Sequence, residues 1–169
     1  MPNRADRSYK DAKGRTRWRR NDEIAAKLKD LHDVLVIGGY EELHARRYPQ
    51  LAYTISRHPE SILKMHKEGR LAQVPGVSMT IAGIIGEFIE TGTCEKLEQW
   101  TRHTPRTVLE LTAIERLGAK TARMLFEAHG IDSLAALVEA LEAGDLDGIK
   151  GIGGKMKETI RAHAAKRRG

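Results

Sequence analysis

The sequence predicts an all-α protein of two small helical lobes behind a disordered basic N-terminal arm. Three observations carry this. Apolar residues recur at helical spacing, no stretch reads as a strand, and from residue 70 a unit of short helix, glycine turn and second helix recurs at intervals of roughly 35–40 residues. The chain of 169 residues suffices for one cored domain or two small lobes.

Composition narrows the function classes. No apolar run approaches the roughly 18 residues of a membrane span, and the polar, arginine-rich start lacks the apolar segment of a secretory leader. The single cysteine, Cys94, excludes a disulfide framework, and seven scattered histidines offer no zinc-ligand spacing. A reduced, intracellular protein is expected, cytoplasmic and nucleoid-associated or nuclear, with no membrane partner. The net charge of +6 is unevenly spread. Residues 1–20 hold eight Lys/Arg against two Asp, residues 148–169 hold seven against one Glu, and the body between them is acidic. Basic ends on an acidic body suit a polyanion. They also suit plain solubilising tails.

The elements follow in order. Residues 1–20 show no apolar periodicity and read as an arm disordered until bound. Trp18, among Arg17, Arg19 and Arg20, suits either stacking on a base or anchoring the arm to the body. Asn21 and Asp22 are capping residues for a helix from about Glu23, with Ile24, Leu28, Leu31 and Leu35 on its apolar face and Gly38-Gly39 as its stop. A helix over about 40–57 is kinked or divided by Pro49. Ser61 opens a short helix to about Glu68, stopped by Gly69.

The three repeats read Leu71 to Ser78 followed by a helix to about Thr91; Leu111 to Gly118 followed by Ala119 to His129; and Leu146 to Gly154 followed by Lys155 to about Ala165. Asp132-Ser133 caps a connecting helix to about Ala143. These are helix-hairpin-helix units. In the third, Lys150, Gly151, Ile152, Gly153, Gly154, Lys155 and Lys157 combine flexible backbone, a helix N-terminus and positive charge, the ingredients of a phosphate cradle. Such contacts hold a nucleic-acid backbone and read no sequence. The apolar Ile149, Ile152, Met156 and Ile160 join the two helices. The second unit keeps Gly118, Ala119, Lys120, Thr121 and Arg123, but has Arg116 where a first glycine is wanted. The first keeps Gly76 but has Ser78 for the second glycine, no Lys or Arg between Arg70 and Lys96, and Glu87 and Glu90 instead; it reads as a packing element.

Val74 to Val77, Glu87 to Gly92, Leu117 to Ala122, His129 to Leu134 and Gly148 to Lys155, in this order, resemble the N-terminal part of the family X DNA polymerases. The resemblance implies a lyase-like domain over 21–98, a helix-hairpin-helix fingers domain over 105–165 and a basic tail over 166–169. The polymerase palm has no counterpart in these residues. Gly144 to Asp147 superficially resembles a paired-carboxylate motif but lacks a strand and a third carboxylate, so it reads as a cap and turn. The family's Schiff-base lysine falls on Ile84 and a supporting lysine on Thr80, while Tyr48 and Lys96 resemble pocket residues. No catalytic residue is therefore expected, and no cofactor, except that the resemblance implies a monovalent cation (K+ or Na+) on the backbone of Thr112, Ile114 and Leu117. The expected function is non-enzymatic, largely sequence-independent DNA binding, as an accessory in DNA repair or nucleoid organisation. The resemblance adds gapped or nicked DNA and repair proteins as partners. Two alternatives stay open: an abasic-site lyase using Lys64, Lys67 or Lys96, and an RNA- or protein-binding adaptor.

Overall fold

The computed structural model describes residues 6–169 and is helical apart from one small hairpin. Strand β1 (Ser8–Lys10) pairs antiparallel with β2 (Thr16–Trp18). Ten helices follow: α1 (Arg19–Ile37), α2 (Glu42–Ala45), α3 (Arg47–Ser56), α4 (Ile62–Lys67), α5 (Met79–Thr91), α6 (Glu95–Thr101), α7 (Arg106–Leu109), α8 (Ala119–His129), α9 (Leu134–Ala143) and α10 (Gly154–Arg168). Short 3-10 turns at Leu71–Gln73 and Glu110–Ala113 precede the first two hairpin turns. None of the described helices is long and apolar enough to cross a membrane.

The chain forms two compact units, one from residues 6–32 and 41–99, the other from 33–40 and 100–169. In the first, Ile24, Leu28 and Leu31 of α1, Tyr48, Leu51 and Ile55 of α3, Ile62 and Met65 of α4, and Ile81, Ile85 and Phe88 of α5 are buried. In the second, the end of α1 brings Leu35 and Ile37, buried like Val108, Leu111, Leu117, Leu125, Leu137, Leu141, Leu146 and Ile160. Each such side chain contributes about 1.5–3 kcal/mol on leaving water.

Residues 6–20 depart from the flexible arm expected over 1–20; residues 1–5 of that arm lie outside the described residues. The hairpin is held by polar groups rather than by apolar alternation, which is why strand periodicity is absent. Asp11 accepts hydrogen bonds from the Lys13 and Arg15 amides and from Nε of both Arg15 and Arg17. The Arg15 backbone amide, with the Arg17 guanidinium and the Lys13 amide behind it, holds the Asp11 carboxyl well below the usual carboxylate range. Its contribution is thus present above the ordinary carboxylate pKa and is lost only as pH falls into strong acid.

The hairpin is also fastened to the rest of its unit. Arg17, 8 % exposed, donates from Nη1 to the Ser56 carbonyl at 3.1 Å, and Trp18 Nε1 donates to the Pro59 carbonyl at 2.9 Å. Arg19 lies over the Tyr9 ring, and Arg20 pairs with Glu23. Of the two roles open for Trp18, anchoring is the one the fold uses. Arg17, Trp18, Arg19 and Arg20 therefore do not form the free DNA-reaching arm expected of them.

The hairpin also moves the start of α1. The helix begins at Arg19, and the Asp6 carboxylate, not Asn21 or Asp22, accepts from the Arg20 amide. Asn21 is fully buried inside the helix instead. Its Nδ2 donates to the Glu60 carbonyl at 2.9 Å and its Oδ1 accepts from the Ile62 amide at 2.8 Å. The division expected at Pro49 falls at Arg46, which places the proline in the first turn of α3, where its missing N–H costs nothing. Ser61 caps α4, and Gly39, Gly69, Gly92, Gly130 and Gly144 take left-handed backbone at helix ends.

The units of the fold differ from the expected boundaries of 21–98 and 105–165. The hairpin joins the first unit. Residues 33–40 belong to the second because Trp100 packs on them: a Cβ at Gly38 would lie 2.7 Å from its ring, and Tyr40 meets it edge-on at 5.3 Å. The tail expected over 166–169 is the last turn of α10 through Arg168, with Arg167 reaching Glu110 at 3.4 Å.

Replacing Asn21 by Ala should destabilise the protein by about 2–4 kcal/mol, because two backbone groups lose their partners in a buried site. Urea unfolding followed by circular dichroism measures this. A loss below about 0.5 kcal/mol would show that water replaces the amide.

Candidate nucleic-acid interface

The three helix-hairpin-helix turns share one hydrogen-bond scheme. The amides of Val74, Ile114 and Ile149 donate to the carbonyls of Leu71, Leu111 and Leu146; the amides of Val77, Leu117 and Ile152 donate to those of Val74, Ile114 and Ile149, all at 3.0–3.3 Å. The second helix then opens after Ser78, Gly118 or Gly153, each in extended backbone. Two residues earlier, every turn needs left-handed backbone. Gly76 and Gly151 supply it at φ 85° and 92°, and Arg116 is forced into it at φ 65°. Among the described residues Arg116 is the one non-glycine with positive φ. The sequence places it where a glycine is wanted, and the fold does not excuse the substitution.

The capping chemistry separates the turns. Ser78 Oγ accepts from the Ile81 amide at 3.3 Å, so α5 caps itself. Gly118 and Gly153 have no side chain for this, and no side chain caps α8 or α10. The positive dipole ends of these two helices thus carry no N-cap side-chain acceptor. In the first repeat the Ser78 hydroxyl takes up one of the first-turn amides of α5.

The second and third turns line one groove. Glu115 and Arg116 come from the second turn, Gly151 and Gly153 from the third, and Lys155, Met156, Glu158, Thr159 and Ala162 from α10. It is open and encloses about 640 Å³. Its charged side chains balance, Arg116 and Lys155 against Glu115 and Glu158, with the N-terminus of α10 in its lining and the exposed Lys150 beside Gly151.

Of the expected residues, Gly151, Gly153 and Lys155 lie in the groove, and Lys150 and Gly154 are exposed beside them. Ile152 is buried and holds the helices together. Gly118, Ala119, Lys120 and Thr121 form the start of α8, with Ala119 buried. Two expected contacts are turned elsewhere. Lys157 is paired with Asp147 across its own hairpin. Arg123 pairs with Glu127 at 3.1 Å, and its guanidinium covers Gly39. Asp147 and the left-handed Gly144 confirm Gly144 to Asp147 as cap and turn, and no cluster of three or more His, Cys, Asp or Glu able to hold a metal occurs among the described residues. Arg116 is the functional candidate that the charge pattern alone passes over; its signal is a long basic side chain at a glycine position.

The lyase-like positions lie apart in the first unit. Ile84 is buried on α5 and Thr80 is exposed at its start. Tyr48 is buried, with Lys96 Nζ 5.8 Å from its ring centre. Lys64 and Lys67 are exposed on α4, and Lys64 lies 3.9 Å from Glu68. Neither has the burial that a Schiff-base amine uses.

Residues 108–166 match the family of SAM-like helix-hairpin-helix tandems. That range holds the second and third hairpins and leaves out the self-capped first. Over 90 residues, 53 % of this chain, the sequence is 27 % identical to the DNA polymerase/3'-5' exonuclease PolX of Bacillus subtilis (strain 168). The chain spans 16 % of that relative's length. Both findings support a family X-like helix-hairpin-helix region.

Arg116→Gly should stabilise the protein by about 1 kcal/mol by relieving left-handed strain at a non-glycine residue. Gly151→Ala should lose a similar amount. Paired urea titrations check both, and equal midpoints for Arg116→Gly and wild type would mean that the strain is relaxed locally.

Proposed function

We propose that the protein binds DNA through the sugar-phosphate backbone, without catalysis and largely without regard to sequence. The carrying observation is the groove in which two hairpins with glycine N-caps converge. Phosphate oxygens supply acceptors to the first-turn amides of α10, whose N-cap glycine offers none, while Arg116 and Lys155 line the same groove and Lys150 is exposed beside Gly151. The likeness to a DNA polymerase supports DNA as the polymer bound. The proposal extends to a role beside repair enzymes, on gapped or nicked duplex in the cytoplasm or nucleus. A monovalent cation on the carbonyls of Thr112, Ile114 and Leu117 fits this reading: the Ile114 carbonyl spends one lone pair on the Leu117 amide and keeps the other.

Affinity for duplex should fall steeply with salt, because phosphate neutralisation releases counterions. Lys150→Glu/Lys155→Glu should weaken binding at least about tenfold and flatten the salt slope by about two. Fluorescence anisotropy between low and moderate salt measures both. An affinity that hardly responds to salt or to the double variant would sink the proposal. Borohydride trapping on an abasic oligonucleotide should yield no adduct that depends on Lys64, Lys67 or Lys96; such an adduct would make the protein a lyase.

A further inference from the structure

The outer face of α3 carries a feature that the hairpins do not use. Arg46, Gln50, Tyr53 and Arg57 follow at intervals of four, three and four residues, so they share one helix face, and all four are exposed. Tyr53 is 61 % exposed, an unusual state for a large aromatic. The Arg57 guanidinium sits 3.7 Å from its ring centre, so one face of the ring carries a cation and the other faces water. Arg47 adds charge beside the stripe. Between Leu43 and Pro59 there is no carboxylate, although the body of the chain is acidic.

We propose that this face binds single-stranded nucleic acid, with a base stacked on Tyr53 and backbone phosphates held by Arg46, Arg47 and Arg57. From Arg46 to Arg57 the helix rises about 16 Å, the reach of about five stacked nucleotides. An aromatic ring between arginines, free of acidic neighbours, suits an unpaired base and its phosphates. Duplex DNA hides its base faces and has no use for the ring. An acidic peptide would use the arginines and leave the ring idle. The stripe shares no residue with the groove and does not depend on the function proposed for it.

The test uses the full chain, labelled oligo(dT), a strand of equal length with abasic sugars, and duplex. Tyr53→Ala should weaken oligo(dT) binding about tenfold while leaving duplex binding unchanged, and Tyr53→Phe should stay within about twofold of wild type. Wild type should bind the abasic strand about tenfold more weakly than oligo(dT). The same Tyr53 dependence should persist in Lys150→Glu/Lys155→Glu, which separates this surface from the groove. Equal oligo(dT) binding by Tyr53→Ala and wild type would overturn the proposal. So would equal binding of abasic strand and oligo(dT), or displacement of oligo(dT) by polyglutamate at matched charge, either of which would assign the stripe to acidic partners.

Discussion

The hydrogen bond that closes each hairpin turn, from Val77, Leu117 or Ile152 back to the apolar residue three places earlier, is the constraint on which the rest depends. It sets two apolar residues on the inner side of the turn, all buried except the half-buried Ile149, with left-handed backbone between them and the next helix following directly. Once that geometry is fixed, the residue at the N-cap decides what the helix end can do. A serine satisfies the end from within, whereas a glycine leaves it for something else. The same backbone thus gives a self-capped joint in the first repeat and glycine-capped helix ends in the other two.

Charge acts differently from what its abundance suggests. Part of the basic N-terminal stretch is engaged by the fold: Arg15 and Arg17 are tied to Asp11, and the buried Arg17 also to α3. Lys157 and Arg123 are engaged in their own unit as well. Among the cations exposed at the surface are Lys150 and Lys155 at the third turn of the second unit and Arg46, Arg47 and Arg57 along α3 of the first. Exposed ion pairs contribute about 0–1 kcal/mol each, so these pairings matter more for where charge is displayed than for stability.

Arg116 joins the two themes. Left-handed backbone costs a non-glycine residue about 1–2 kcal/mol, and the two sister turns avoid that cost with Gly76 and Gly151. Strain of this kind persists where the surrounding structure fixes it, and it concentrates at functional positions. Here it sets a guanidinium at the mouth of the groove formed with the third turn.

The sequence by itself determined the helices, their stops and the three turns, because helical periodicity, capping residues and glycines act within a few residues along the chain. Ser61, Ser133, Gly130 and Gly144 mark their ends by local chemistry alone. It also determined that the first turn differs from the others, since Ser78 announces its own cap. Only the tertiary structure decided the rest. The β-hairpin depends on Asp11 gathering donors and on carbonyls at Ser56 and Pro59, about forty residues away. Asn21 reads as a helix cap until Glu60 and Ile62 are brought to it. Likewise, the meeting of the second and third turns in one groove, and the pairing of Lys157 and Arg123 away from it, are contacts between distant segments, which no local pattern encodes.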